Sequence, residues 1–405
     1  MTGNRFRWLV FLLPAIGLFY IPIAAQNVSS VEHVYLTLAS PQSARAMRVH
    51  YQTHQGSLQS TIHFDQISRG GVPDQYRWTL MAQGESISSY PYSIHSLTVT
   101  GLTPDTTYYF IVGDPDNGYS REYKFRTLPE DGSEIRVIQG GDMNISEHYS
   151  DIARPLLTMR PQLYLVGGDI AYANGWLSNG WRWKRWFERL KTIIEDPDGY
   201  MIPMVVAVGN HEVSSSGGDP LDRAPYYFRF FPQEGLQPYF VRELGLHTAL
   251  FVLDSGHVVG HGGDQTEWLG NELQKYEKWP SKIALYHVPL YPSHRSFNTF
   301  LSKEGRKYWL PLFDQFRLTL GMENHDHTVK RTFPLRNGSK VEKDGTIFIG
   351  DGCWGQGVRS ARQEWYLETS ESKRHAWFLK LSETGIQGTA FGENAQILDE
   401  FTITH

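Results

Sequence analysis

Four short apolar runs in this chain, 135–139, 163–166, 205–208 and 283–286, each stop at a polar corner that carries Asp, Asn or His. The corners read Gly140-Gly141-Asp142-Met143-Asn144, Gly167-Gly168-Asp169-Ile170-Ala171-Tyr172, Gly209-Asn210-His211-Glu212 and Tyr286-His287. A fifth corner, Asn324-His325-Asp326-His327, sets two histidines one residue apart. Runs of four or five apolar residues have the length of buried strands rather than of core helices. Strands alternating with helices over a segment of about 275 residues build a layered α/β domain.

In open α/β sheets, ligand-binding groups collect beyond the carboxyl ends of the strands. Taken singly, an Asp at a strand end is a turn residue or a helix cap, and His-x-His fits a plain surface loop. Together, the five corners supply carboxylates, an amide and imidazoles, a set suited to a pair of intermediate metals, whereas Mg or Ca favours oxygen alone. In extended chain, His325 and His327 point to opposite sides and can serve two adjacent cations. The single cysteine, Cys353, leaves no thiolate cluster and no intramolecular disulfide.

Two helices are read between the corners. Trp183, Trp186, Phe187, Leu190 and Ile194 recur at three- and four-residue spacing, the stripe of a helix packed on a sheet. A second helix opens at Asp264-Gln265-Thr266-Glu267, with Asp264 as the capping acid and Trp268, Leu269 and Leu273 turned inward.

Ahead of this domain, from Val31 to about Thr127, apolar residues alternate in short runs with Gly, Pro and Asp between them, an all-β sandwich pattern. In the stretch from Gly101 to Val112 a Tyr hydroxyl can tie a corner to upstream backbone, and the segment resembles a fibronectin type III domain. His50, His54, His63 and His95 are scattered here and read as surface or internally bonded histidines. Residues 128–132 form a linker, giving segments 1–25, 28–128 and 133–405.

Segment 1–25 has Arg5 and Arg7 before an apolar run ending in small residues, the layout of a secretory signal peptide. A retained membrane anchor is the alternative, although Pro14 and Pro22 interrupt the run. Cleavage after Ala25 removes two Arg and no acid, taking the formal charge from -5 to -7. That balance offers no basic surface for a stable nucleic-acid partner. The expected location is secreted, periplasmic or cell-surface, with no membrane contact after cleavage. The lack of disulfides fits a bacterial envelope better than a eukaryotic secretory route.

The ordered series Asp142, Asp169 with Tyr172, Asn210-His211-Glu212, His287 and His325-x-His327 resembles the calcineurin-like metallophosphoesterases, and within them the purple acid phosphatases. Tyr172 stands three residues after the second Asp, and Asn144 occupies the position where other branches carry a His. Gly350-Asp351-Gly352, after a strand at 346–349, looks like a late segment of the family, so the resemblance spans about residues 30 to 400. It implies a sandwich of fibronectin III type followed by a four-layer αββα domain. It implies one metal on Asp142, Asp169, Tyr172 and His327, and a second on Asp169, Asn210, His287 and His325. A phenolate donor favours Fe3+, with Zn2+, Fe2+ or Mn2+ beside it.

The resemblance further implies hydrolysis of small phosphate monoesters by metal-activated hydroxide. His211 would stabilise the phosphoryl oxygens or protonate the leaving group, and His294 would be an outer substrate histidine. Glu212 would orient an imidazole, and Asn174 and Trp176 would line the cleft. Asn144 and Asn324 replace residues that are usually Gly in the family, which points to an altered pocket shape. A phosphodiesterase, or a nucleotide or phospholipid hydrolase, on the same metals is the close alternative. A non-catalytic adhesion protein is the distant one, and its mark would be lost ligands, of which there are none. The sequence gives no oligomeric state.

Overall fold

The computed structural model describes residues 1–3, 30–54, 56, 58–214, 218–233 and 235–405. Apart from residues 1–3, the segment read as a targeting signal lies outside the described residues. Among those described, no helix is long and apolar enough to cross a membrane.

The N-terminal part is all β. Strands Glu32–Thr37, Ala46–His54 and Tyr92–Thr100 pair antiparallel, and strands Gln59–Asp65, Thr107–Asp114 and Tyr123–Arg126 form a second antiparallel set. Strand Trp78–Ser86 joins them, since its first six residues pair with Gln59–Asp65 and its last three with Tyr92–Thr100. The corner before Thr107–Asp114 is tied as the sequence suggests: the Thr103 amide donates to the Tyr108 hydroxyl at 3.0 Å. The scattered histidines are internal or exposed. His50 lies 2.8 Å from the Thr37 hydroxyl, His95 lies 2.8 Å from that of Thr53, and His54 is exposed.

The α/β part has two sheets. The first runs Ile397–Thr404, Gly385–Phe391, Ala376–Ser382, Ile135–Gly140, Leu163–Val166, Met204–Val206, the last three being parallel. The second runs Phe240–Leu244, Thr248–Val252, Ser281–Leu285, Leu320–Met322, Ile347–Gly350, Val329–Thr332, Leu367–Glu371. Alternation along Thr248–Val252 shows how the layers stack. Leu250 and Val252 enter the core shared with the first sheet, whereas Ala249 and Phe251 face the outer helices Asp264–Lys275 and Leu310–Phe316. Helices His148–Leu156 and Gly180–Leu190 pack onto the first sheet, which completes four layers. All five polar corners follow parallel strands: Ile135–Gly140, Leu163–Val166, Met204–Val206, Ser281–Leu285 and Leu320–Met322.

Three details depart from the sequence reading. The Trp-bearing helix stops at Leu190, so Ile194 is buried beyond its end. Its rings also meet the N-terminal part: Phe187 packs on both His33 and Tyr35. Thr37 pairs with Met204, so the N-terminal strands extend the first sheet rather than forming a separate body. In the second helix, Gly263 takes the capping position at φ 74° and Asp264 is already helical with no capping bond. Gln265 does the local work instead, accepting from the Asp254 amide and donating to the Asp254 and Gly260 carbonyls.

Buried histidines give the fold an acid limit. Both ring nitrogens of His33, Nδ1 of His50 and Nε2 of His261 are buried without a hydrogen-bond partner. Burial pushes His33 down to about 3, with Lys191 and Lys184 adding to the effect, pushes His261 down to about 4 and holds His50 well below its usual value. A base with a lowered folded pKa contributes full stability above its unfolded pKa of about 6.5 and loses it as pH falls towards the folded value, at about 1.4 kcal/mol per pH unit per group. The thermal midpoint should therefore drop between pH 7 and pH 5, and His33→Phe should flatten that slope. A midpoint that is level or rises over this range contradicts the assignment.

Candidate metal centre

The corner residues adopt costly backbone conformations. Asp142, Asp169, Tyr172, His325 and His327 are all left-handed, with φ of 56°, 52°, 57°, 78° and 57°. Each such non-glycine residue costs on the order of 1–3 kcal/mol and persists only where its surroundings fix it. Asp142 Oδ2 accepts the His325 amide at 2.9 Å, and Asp169 Oδ1 accepts the His211 amide at 2.8 Å. The extended His-x-His geometry expected from the sequence is thus replaced by a tight turn, which still sends the two rings to different neighbours.

Glu212 does not orient an imidazole. It is buried and accepts the amides of Asp169, Ile170 and Gly209 at 2.7, 2.8 and 2.9 Å, fixing the Asp169 corner. Asn324 does not shape the pocket either. Its side chain is fully buried beneath the site, donates to the Tyr286 carbonyl at 2.9 Å, and fills the space a Cβ at Gly141 or Gly167 would need. Asn144 does sit at the rim, accepting from Arg182 Nη2 at 2.8 Å and donating to Gln356 at 3.3 Å.

The candidate ligands form two adjoining groups. In one, His327 Nε2 lies 2.9 Å from Asp142 Oδ1, and the Tyr172 hydroxyl lies 3.3 Å from each. In the other, His287 Nε2 lies 3.2 Å from Asp169 Oδ2, 3.1 Å from Asn210 Oδ1 and 3.0 Å from His325 Nδ1. One ligand atom each from Asp169, His287 and His325 falls within 4.8 Å of the others.

Tautomers decide what these groups can hold. His287 Nδ1 faces the Gly167 carbonyl at 2.9 Å, and His327 Nδ1 faces the Gly357 carbonyl at 3.0 Å. A carbonyl only accepts, so each Nδ1 carries the proton and a neutral ring presents the Nε2 lone pair to carboxylate, amide and phenol oxygens. Lone pairs converging on lone pairs repel unless positive charge lies between them. The same demand appears in the titration of the free protein. Burial opposes charge on His287, yet Asp169 and Asp142 outweigh it and raise the ring to about 9. Burial, then Asp142 and Asp169, push the Tyr172 phenol far above its ordinary value, so only a strong cation at the oxygen would ionise it. The donor set therefore fits metal.

His211 stands differently. Its side chain is 34% exposed, against 0% for His287, and its Nε2 lies 3.8 Å from Asp169 Oδ2. Its Nδ1 is held by Asn174 Oδ1, and its ring lies on Tyr172 with centroids 4.1 Å apart. Asn174 therefore positions His211 rather than simply lining a cleft. His294 is at the edge: its amide donates to Asp326 Oδ2 at 2.7 Å and its Nδ1 faces the Ser360 carbonyl at 2.8 Å. Trp176 is exposed. Arg182, Gln356 and Arg359 were not read from the sequence. Arg182 donates to the Ala171 carbonyl at 2.8 Å and Arg359 to the His325 carbonyl at 3.0 Å.

Residues 31–127 match the N-terminal domain of purple acid phosphatases, and residues 135–328 match the calcineurin-like phosphoesterases. This chain joins the N-terminal domain of purple acid phosphatases to a calcineurin-like phosphoesterase domain. The second match contains every candidate ligand from Asp142 to His327, while Gln356 and Arg359 lie past it. The chain is 28% identical over 295 residues to purple acid phosphatase 15 of Arabidopsis thaliana, covering 64% of this chain and 53% of that one. It is 26% identical over 290 residues to a phosphoenolpyruvate phosphatase of Allium cepa, covering 67% and 58%. It spans about half the length of the curated relatives it matches. The purple acid phosphatase PPD1 from yellow lupin seeds aligns with a TM-score of 0.76 at 18% identity, over 94% of this chain and 75% of that one, a likeness of fold.

Proposed function

We propose that the protein is a dinuclear metal-dependent phosphatase acting on small phosphate monoesters. Asp142, Asp169, Tyr172 and His327 would hold Fe3+, and Asp169, Asn210, His287 and His325 would hold Zn2+, Fe2+ or Mn2+, with Asp169 common to both. The observation that carries this is the convergence of imidazole Nε2 atoms on carboxylate, amide and phenol oxygens at 2.9–3.3 Å. Two bound cations would supply charge to a phosphoryl oxygen and a water acidic enough to attack it near neutral pH.

The protein's own groups supply the rest. Glu212 and Asn324 keep the corners from relaxing. His211, with Nδ1 fixed by Asn174 and Nε2 3.8 Å from Asp169 Oδ2, would donate a proton to the leaving oxygen. His294, whose Nδ1 is engaged by Ser360, offers Nε2 as an outer phosphate contact. Action outside the cytoplasm belongs to the same proposal and rests on the sequence of residues 1–25.

Metal analysis with a visible spectrum tests the assignment. The loaded protein should carry two metals and a visible band from phenolate to iron, and Tyr172→Phe should lose the band. Persistent colour in Tyr172→Phe removes Tyr172 from the metal. Faster turnover of a bis-aryl phosphate than of the aryl phosphate would make the enzyme a diesterase.

A further inference from the structure

A cleft of about 580 Å3 is walled by Ser86, Ile87 and Ser88 of the N-terminal part and by Trp176, Leu221 and Pro225 of the α/β part. The chain links it to the metal centre. Asn174 bonds both the ring and the carbonyl of His211, and the cleft begins at the next residue, Gly175, with Ser214 facing it. Since consecutive Cα atoms are about 3.8 Å apart, the Trp176 Cα lies within about 7.6 Å of that of Asn174.

The wall is exposed, and its backbone is fixed. Trp176 is 57% and Leu177 41% exposed. The Trp176 amide donates to the Ala173 carbonyl at 3.1 Å, Asn179 Nδ2 to the same carbonyl at 3.1 Å, and the Tyr226 hydroxyl to the Leu177 carbonyl at 2.7 Å. A preorganised apolar wall binds an apolar group without a large ordering cost.

Charge decides between occupants. The one cation among the described residues of the cleft wall, Arg229, is engaged by Glu85 at 3.1 Å and by the Pro225 carbonyl at 2.8 Å. Asp222 adds a negative charge to the same wall. A second phosphate or carboxylate would meet repulsion there, whereas an uncharged ring or alkyl chain would cover Trp176 and Leu177.

We propose that this cleft receives the alcohol portion of the substrate, so that the enzyme selects phosphomonoesters of apolar aryl or alkyl alcohols. This rests on the phosphatase reading. The leaving oxygen would be released toward His211, whose partner Asn174 directly precedes the cleft residue Gly175.

The full, metal-loaded chain tests it with 2-naphthyl and phenyl phosphate, whose leaving groups differ mainly in apolar size. The wild type should favour the naphthyl ester in kcat/KM by about tenfold, mostly through KM. Trp176→Ala and Leu177→Ser, both at exposed positions, should bring that ratio close to one. Calorimetric binding of 2-naphthol needs no turnover. Binding at least fivefold weaker in Trp176→Ala supports the cleft even if neither ester is hydrolysed, in which case only the phosphatase reading falls. Equal naphthol binding, or an unchanged ester ratio, overturns the cleft proposal. Sedimentation with phosphatidylcholine vesicles that carries down the wild type but not Trp176→Ala would assign the ring to a lipid surface and also overturn it.

Discussion

Asp169→Ala should cost the protein both metals and reduce turnover by about 10^3-fold or more, the scale expected when cation stabilisation of the transition state is lost. Oδ2 of Asp169 lies 3.2 Å from His287, and Oδ1 accepts the His211 amide. One substitution therefore removes a candidate ligand, unpins the loop that carries Asn210 and His211, and leaves Glu212 clamping an empty corner. His211→Ala is the contrast: it should keep both metals and lose about 10^2- to 10^4-fold in turnover, the range of a missing general acid. Metal content and kcat measured on both variants separate the two roles. If Asp169→Ala retains two tightly held cations, the shared-ligand assignment is wrong.

How much of this was legible in sequence follows from where each partner sits. Asp142, Asp169, Asn210 and His287 could be read because each lies at the end of a short apolar run, whereas the role of Tyr172 came from the family resemblance. Their partners could not. Asn174 meets His211 across 37 residues, and Gln356 meets Asn144 across 212. Neither distance leaves a periodicity. Asn324 looked like a change in pocket shape because a linear reading places it beside a ligand, while the backbone turns its side chain beneath the site. The glycines of the corners suggested sharp turning, yet Asp142 and Asp169 themselves take the left-handed conformation. Glycine is needed at Gly141 and Gly167 for the room it leaves to Asn324. The two-part architecture was legible from the change in hydrophobic period. The fusion of the sheets through Thr37 and Met204 was not, because a single parallel register pair has no sequence signature.

The largest stability effect is expected at a residue that touches no candidate ligand side chain. Lys330 is fully buried, with Nζ bonded to Glu323 and to the Tyr291 carbonyl and 3.0 Å from Asp351 Oδ2. Burial disfavours its charge, but Asp351 and Glu323 override that and raise its pKa, while burial pushes Asp351 up. Around this cation, Glu323 Oε1 accepts the Tyr286 hydroxyl and the Leu290 amide, and the Asp351 carbonyl accepts the His327 amide at 2.8 Å. The segments bearing His287 and His327 are thus held to one buried charge. Removing one partner of a buried ion pair typically costs about 3–5 kcal/mol, because the remaining charge is left uncompensated. Lys330→Met should lower stability by that order and weaken metal retention with it. The triple variant Lys330→Met, Glu323→Gln, Asp351→Asn removes the charges together and should recover most of the stability, since well-packed neutral replacements are often tolerated. Thermal unfolding of the metal-free proteins reads the first effect, and chelator resistance of the loaded proteins reads the second. If the triple variant is as unstable as Lys330→Met, shape rather than charge holds these segments together. If it recovers stability but not metal retention, the buried charge itself sets the register of the histidine segments.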